Sequence, residues 1–160
     1  MVVASAAYIS GQRIYDGYYN KIHDYTSKSG VVFTEILTPE YVPERMTDRE
    51  ILWNEVEHVE RNNKAQLAYS FDIALQNELT LEENIRLAKE FCQEQFVARG
   101  MIVDLAVHEG KSDNEEEPDN PHFHVLAPIR PFTEEGIWGN KQRREYILDE
   151  DGNRVKDAKG

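Results

Sequence analysis

From residue 67 the chain alternates in character. Leu67, Tyr69, Phe71, Ile73 and Leu75 are apolar, and Ala68, Ser70, Asp72 and Ala74 between them are small or polar. A period of two predicts a strand with one large apolar face, and it leaves the single carboxylate, Asp72, on the other face. Residues 101–108 repeat the pattern, with Val103, Leu105 and Val107 opposed to Asp104, Ala106 and His108. Residues 120–126 do so again: Phe123 and Val125 point one way, His122 and His124 the other. A fourth strand is predicted over 31–37, a β-branched run bounded by Gly30 and Pro39.

Between these lie segments of helical period. Thr47-Asp48-Arg49-Glu50 has capping-box spacing and opens a helix with Leu52, Trp53, Val56 and Val59 as its apolar stripe; Glu55, Glu57 and Glu60 fall on its solvated flank. Thr80-Leu81-Glu82-Glu83 starts another, with Ile85, Ala88, Phe91, Cys92 and Phe96 inward and Gly100 closing it. Residues 2–14 read as a short Ala-rich helix that carries Tyr8 and ends or bends near Gly11. Residues 15–30 interleave Tyr15, Tyr18, Tyr19 and Tyr25 with cations. That composition suits stacking of unpaired bases or, the reading given more weight, an ordered surface loop. Past Thr133, a turn-rich link leads to a hairpin over 146–155 turning at Asp151-Gly152. Residues 156–160 read as frayed or as a truncation point. The sum is an α+β fold, a mainly antiparallel sheet with helices packed on one face.

A chain of 160 residues suffices for one domain with its own core. Its one cysteine, Cys92, excludes a disulfide framework and a cysteine metal cluster, and points to the cytosol. No apolar run is long enough to span a membrane and no signal peptide is expected, so a cytoplasmic protein without membrane insertion is anticipated. The formal net charge of -12 argues against diffuse nucleic-acid binding. Acid is concentrated in the helices and in 113–119, whereas Lys141, Arg143 and Arg144 form a local basic cluster. Binding to DNA would therefore be focused and salt-sensitive.

If 101–108 and 120–126 pair as a hairpin across the polar loop between them, His108 lands beside His122 and His124. Three of the five histidines then share one patch. The plain alternative is that each is an ordinary polar side chain; His23 and His58, which lack such company, are read as surface residues. Three neutral imidazoles leave a divalent ion with open positions, the arrangement of a catalytic rather than a closed structural site. Nitrogen ligation favours Mn, Zn, Ni or Fe over Mg in intrinsic affinity, although availability can override that order.

A set of motifs in order carries a resemblance: Ser5-Ala6-Ala7-Tyr8 followed by Gly11, Asp24-Tyr25-Thr26, Leu52-Trp53-Asn54 with Val56-Glu57, Ala65-Gln66-Leu67-Ala68, Gly100-Met101-Ile102-Val103-Asp104, and Asn120-Pro121-His122-Phe123-His124. From about residue 4 to residue 131 the chain resembles the MobA/MobL family of plasmid relaxases, and it is also similar to the TraA relaxases of Gram-positive conjugative plasmids. The resemblance implies a relaxase-like two-layer sandwich with a metal site on the central hairpin. It implies an enzyme of the His-hydrophobe-His class that nicks one DNA strand at a transfer origin and stays joined to the 5′ end. Tyr8 matches the nucleophile, and His108, His122 and His124 match the metal ligands. The expected ion is Mn or Mg, with Zn or Ni as alternatives.

The implied partners are single-stranded DNA at the transfer origin, a coupling protein and the relaxosome. Residues 1–133 would be the catalytic core and 134–160 a basic, hairpin-like extension; relatives usually have a strand before the tyrosine helix, so either this chain is an N-terminally shortened form or its sheet is completed differently. Where some relatives have a glutamate in the strand matching 67–75, this chain has Ser70 and Asp72. Asp72 is therefore read as a base or as the hydrogen-bonding orienter of a histidine. Pro is favoured in the family where Gln76 stands, a structural difference. Arg13, Arg130, Lys141, Arg143 and Arg144 are candidate phosphate contacts, each weighed equally against a solvated surface cation. Two other functions fit the same histidines: a phosphoesterase using a metal-bound water, and a metal- or DNA-binding module without activity.

Overall fold

The period-two segments assemble as their alternation requires. In the computed structural model, which describes residues 1–142 and 145–155, the chain runs α1 (Val2–Ser10), β1 (Arg13–Asp16), β2 (Lys21–Asp24), β3 (Val31–Leu37), α2 (Arg49–Val59), β4 (Ala68–Ala74), α3 (Leu81–Gln95), β5 (Val103–His108) and β6 (His122–Pro128). Strands β3, β5, β6 and β4 form one antiparallel sheet in that order. The hairpin β5–β6 is central, and its register sets His108 against His122 and Ala106 against His124.

Every residue of β5 is buried, which requires cover on both faces. Val103, Leu105, Val107, Phe123 and Val125 pack under Ala88 and Cys92 of α3. Ala106 and Leu126, on the opposite face, pack with Val3, Ala6 and Ala7 of α1 and with Leu52, Trp53 and Val56 of α2. The α+β class holds, but with helices on both faces of the sheet where one covered face was expected. Leu52, Trp53 and Val56 of the α2 stripe and Ala88 and Cys92 of the α3 stripe are buried, whereas Phe91, expected inward, is exposed; a stripe does not say which side of a sheet it will meet.

Three local expectations change. Residues 13–24 are a two-stranded hairpin rather than a loop, built on a buried polar pair. Asp16 accepts hydrogen bonds from the backbone N–H groups of Tyr18 and Tyr19 and contacts His23 Nε2 at 3.2 Å, so His23 is buried and not a surface residue. His58 is exposed, as expected. The start of α2 is capped by Asp48, which accepts from the Ile51 N–H, and the expected capping box of Thr47 and Glu50 does not form. Thr47 donates instead to the Glu44 carbonyl, and Glu50 accepts from the Tyr15 N–H. The capping box of α3 does form, between Thr80 and Glu83.

Glu57 is the third. Assigned to the solvated flank, it is buried, because one of its oxygens accepts the Val2 N–H at 2.6 Å and so caps the start of α1. A carboxylate at a helix N-terminus satisfies an orphan donor and meets the positive end of the dipole.

Beyond β6, Phe132 joins the core and Trp138 packs against it. Arg130 binds Glu60 and the Gly139 carbonyl, and Lys141 reaches the Gln66 carbonyl at 2.5 Å and Glu60 at 3.2 Å. The turn at Asp151-Gly152 is present, with Leu148 bridged to Arg154. Among the described residues, no helix is long and apolar enough to cross a membrane. Arg143, Arg144 and the expected frayed end, 156–160, lie outside them.

Candidate active site

Antiparallel pairing and a period of two bring the three histidines together. Their ring centroids lie 5.2 Å apart for His108 and His122, 4.4 Å for His108 and His124, and 5.0 Å for His122 and His124. One nitrogen from each ring falls within 4.8 Å of the others.

The remaining nitrogen of each ring has a partner that can only accept. His108 Nε2 donates to the Ile9 carbonyl at 2.7 Å, His122 Nδ1 to the Asn120 carbonyl at 2.7 Å, and His124 Nδ1 to the Asp72 carboxylate. Each bond fixes a tautomer, leaving the lone pair on His108 Nδ1, His122 Nε2 and His124 Nε2. Orienting contacts of this kind are what metal-ligating imidazoles characteristically carry. Burial of His108 pushes its pKa down to about 4, with the Ile9 bond opposing the fall and the neighbouring His124, Lys28 and His122 adding to it. The ring is therefore neutral near pH 7 and needs to release no proton to a metal. The set fits a divalent cation.

Gly110 shapes the base of the loop between the strands. Its φ is +57°, its carbonyl accepts the Asn120 N–H at 2.8 Å, and a Cβ there would overlap the Asn120 carbonyl. Only glycine allows this approach, and the Asn120 carbonyl is the group that orients His122.

Tyr8 sits in the last turn of α1, one residue before the carbonyl that holds His108. The residue is 51% exposed. Tyr25 meets its ring edge-on, with centroids 5.3 Å apart, and Lys28 Nζ lies 3.5 Å from the ring centroid. The same ammonium donates to the Tyr8 carbonyl at 3.0 Å. Gly11, in the left-handed region at φ 64°, ends the helix where the sequence placed its end.

Asp104, on the histidine face of β5, is fully buried. It accepts two bonds from Arg49 Nε, at 2.8 and 3.0 Å, one from Arg49 Nη2 at 2.8 Å and one from Trp53 Nε1 at 2.8 Å. This network fastens α2 to the sheet beside the site.

Residues 1–160 match the family model described as MobA/MobL family. The chain belongs to the MobA/MobL family. Among its relatives, the conjugal transfer protein TraA of Agrobacterium fabrum is 35% identical over 99% of this chain, which spans 14% of that protein. A probable mobilization protein MobA of Bifidobacterium longum is 33% identical over 95% of the chain and 26% of its own length. A solved structure described as "Molecular Basis of Vancomycin Resistance Transfer in Staphylococcus aureus" aligns with TM-score 0.78 and 37% identity, over 92% of this chain and 72% of the other. The chain is thus a small fraction of the length of the TraA relatives it matches.

Within this MobA/MobL domain, the sequence-predicted residues are distributed unevenly. The structure unites the three histidines and Asp72, and it ties the helix of Tyr8 to them through Ile9. Arg13 pairs with Asp24 at 3.6 Å on the surface. Arg130 and Lys141 are held by Glu60, so their charge is already partnered within the fold. Sequence reasoning missed the Ile9 and Asn120 carbonyls, because any residue type supplies a carbonyl. It also missed Lys28, whose one signal was its place in the run of aromatics and cations.

Proposed function

We propose that this MobA/MobL domain nicks and rejoins one DNA strand at a plasmid transfer origin, through attack by Tyr8 on a backbone phosphodiester. The observation that carries the reading is the histidine triad with every outer nitrogen engaged, one of them by the helix that bears Tyr8. When bound by His108, His122 and His124, a divalent ion supplies positive charge to the non-bridging phosphate oxygens. Mn suits three imidazoles better than Mg, whose greater availability keeps it a candidate.

The Tyr8 hydroxyl loses its proton and bonds to phosphorus as the bond to the 3′ oxygen breaks. The 3′ oxygen leaves as a hydroxyl, and the protein remains on the 5′ end. Because a phosphodiester is exchanged for another, the free 3′-hydroxyl can reverse the step. Asp72 acts through His124: its bond to Nδ1 directs Nε2 toward the other rings, which favours the orienter role over that of a base. The partners are single-stranded DNA at the origin and the conjugation proteins that bring it, a coupling protein and the relaxosome, in the cytoplasm. Arg13, whose pairing with Asp24 is exposed at the surface, and Arg143 and Arg144 stay as candidates for phosphate contacts, whereas the more buried pairing with Glu60 occupies Arg130 and Lys141.

The test uses single-stranded oligonucleotides tiling both strands of the DNA beside the protein's own gene, with Mn or Mg, analysed on denaturing gels. A covalent protein–DNA adduct that disappears in Tyr8→Phe supports the reading. Cleavage without an adduct would identify a water nucleophile instead, and DNA or metal binding without cleavage an inactive module.

A further inference from the structure

Arg13, Lys111, Arg130 and Lys141 of this acidic chain each have a carboxylate partner. Lys28 has none: among the described residues, no carboxylate forms an ion pair with it, and its ammonium is directed at Tyr8 twice, over the ring and onto the carbonyl. We propose that Lys28 is the positioning residue for Tyr8, its ammonium and the perpendicular ring of Tyr25 together holding the phenol so that the hydroxyl is presented in one orientation. The proposal rests on the reading of Tyr8 as the nucleophile.

The geometry favours this role over that of a mere helix cap. One ammonium satisfies an orphan carbonyl at the negative end of α1. It also lies on the ring face, where the aromatic quadrupole attracts a cation. An exposed tyrosine would otherwise sample several rotamers. Here the face is taken by Lys28 and a flank by Tyr25, which leaves fewer arrangements for the hydroxyl. Partial burial of Lys28, which lowers its pKa, strengthens the attraction to the ring by stripping water from the ammonium. A negative charge developing on the phenol oxygen during attack would increase that attraction, so the contact is stronger during reaction than at rest.

Two measurements test it. In protein carrying 13C-labelled lysine, one ε-methylene resonance should be shifted upfield by the ring current of Tyr8, and the shift should vanish in both Lys28→Met and Tyr8→Leu. With the oligonucleotide that the wild type cleaves, Lys28→Met should slow single-turnover adduct formation at saturating DNA by on the order of 10- to 100-fold. Its affinity for the same oligonucleotide should stay within about threefold, a split that separates positioning from binding. Lys28→Arg should restore most of the rate, since a guanidinium can occupy the same ring face.

The proposal is overturned by an unshifted lysine spectrum, by an unchanged rate in Lys28→Met, or by a rate loss matched by an equal loss of DNA affinity. Failure of the Tyr8 reading shows separately, as an adduct still formed by Tyr8→Phe, and the role of Lys28 would then fall with it.

Discussion

His108 donates its Nε2 proton to the carbonyl oxygen of Ile9, 2.7 Å away, although 99 positions separate the two residues in the chain. The bond joins a candidate metal ligand on β5 to the helix that carries Tyr8. It also directs Nδ1 of that ring toward His122 and His124. The candidate ligand set and the helix that carries Tyr8 are therefore aligned by one contact.

Metal binding should depend on the groups behind the rings as well as on the rings. Titration calorimetry with Mn should show binding abolished in a His108→Ala, His122→Ala, His124→Ala triple variant. Asp72→Ala should weaken it by about 10- to 100-fold, as loss of an orienting carboxylate does elsewhere. An unchanged affinity in Asp72→Ala would remove Asp72 from the site. Chelation by EDTA should stop DNA cleavage and leave the fold intact.

Gly110→Ala offers a way to disturb one ring without touching it. A methyl group there forces the Asn120 carbonyl aside and frees His122 Nδ1. Mn affinity should fall, and the drop should be absent in a background where His122 is already alanine. Equal loss in both backgrounds would mean that the loop acts by another route.

Asp104→Ala should be severely destabilising. It leaves the Arg49 guanidinium buried without its counter-charge and the Trp53 N–H without an acceptor. Removing one member of a buried pair costs about 3–5 kcal/mol, measurable by urea unfolding. The double change Arg49→Met with Asp104→Leu should recover much of the loss. A cost below about 1 kcal/mol in Asp104→Ala would show that the network is not what fastens α2 to the sheet.

Acid should loosen the segment after β6. Burial works to raise the Glu60 carboxyl, but hydrogen bonds and charge from Arg130 and Lys141 outweigh it and hold the group below its ordinary 4.5. A pKa lowered in the folded state means stability present above 4.5 and lost as pH falls through the lower folded value. Trp138, which packs beside this ion cluster, provides the signal. Its fluorescence in a Trp53→Phe background should change below pH 4.5. In Glu60→Gln the altered signal should already be present at neutral pH. A pH-independent signal would exclude a role for Glu60 in holding this segment.

Cys92 should be inert. Burial pushes its thiol up to about 12, so almost no thiolate exists at pH 8. A disulfide reagent should label it only at the rate of unfolding, and rapid labelling of native protein would contradict the packing of α3.

Much of this was legible from alternation alone. Residues 67–75, 101–108 and 120–126 declared their faces by a period of two; that period, with the expected pairing of 101–108 and 120–126, put three histidines on one patch, and it put Asp72 on the small-residue face of its own strand. The order β3-β5-β6-β4 was not legible, because period specifies a face but not a neighbour. The side of the sheet taken by α3 was hidden for the same reason. The hairpin at 13–24 escaped notice because its strands are four residues long and its interior holds a polar pair, Asp16 and His23, in place of an apolar stripe. Glu57 looked solvated because the donor that buries it belongs to the backbone of another helix.

Helix α1 is secured at its start by the Glu57 carboxylate and at its finish by Lys28 and His108. A nine-residue rod clamped at its two tips has little freedom to slide or tilt. Any travel of the phenol in the proposed attack must come from its own χ torsions, or from the DNA strand arriving to meet it. Swapping side chains along the rod's outward midsection should therefore leave the aim of Tyr8 undisturbed, whereas weakening either clamp should scatter it.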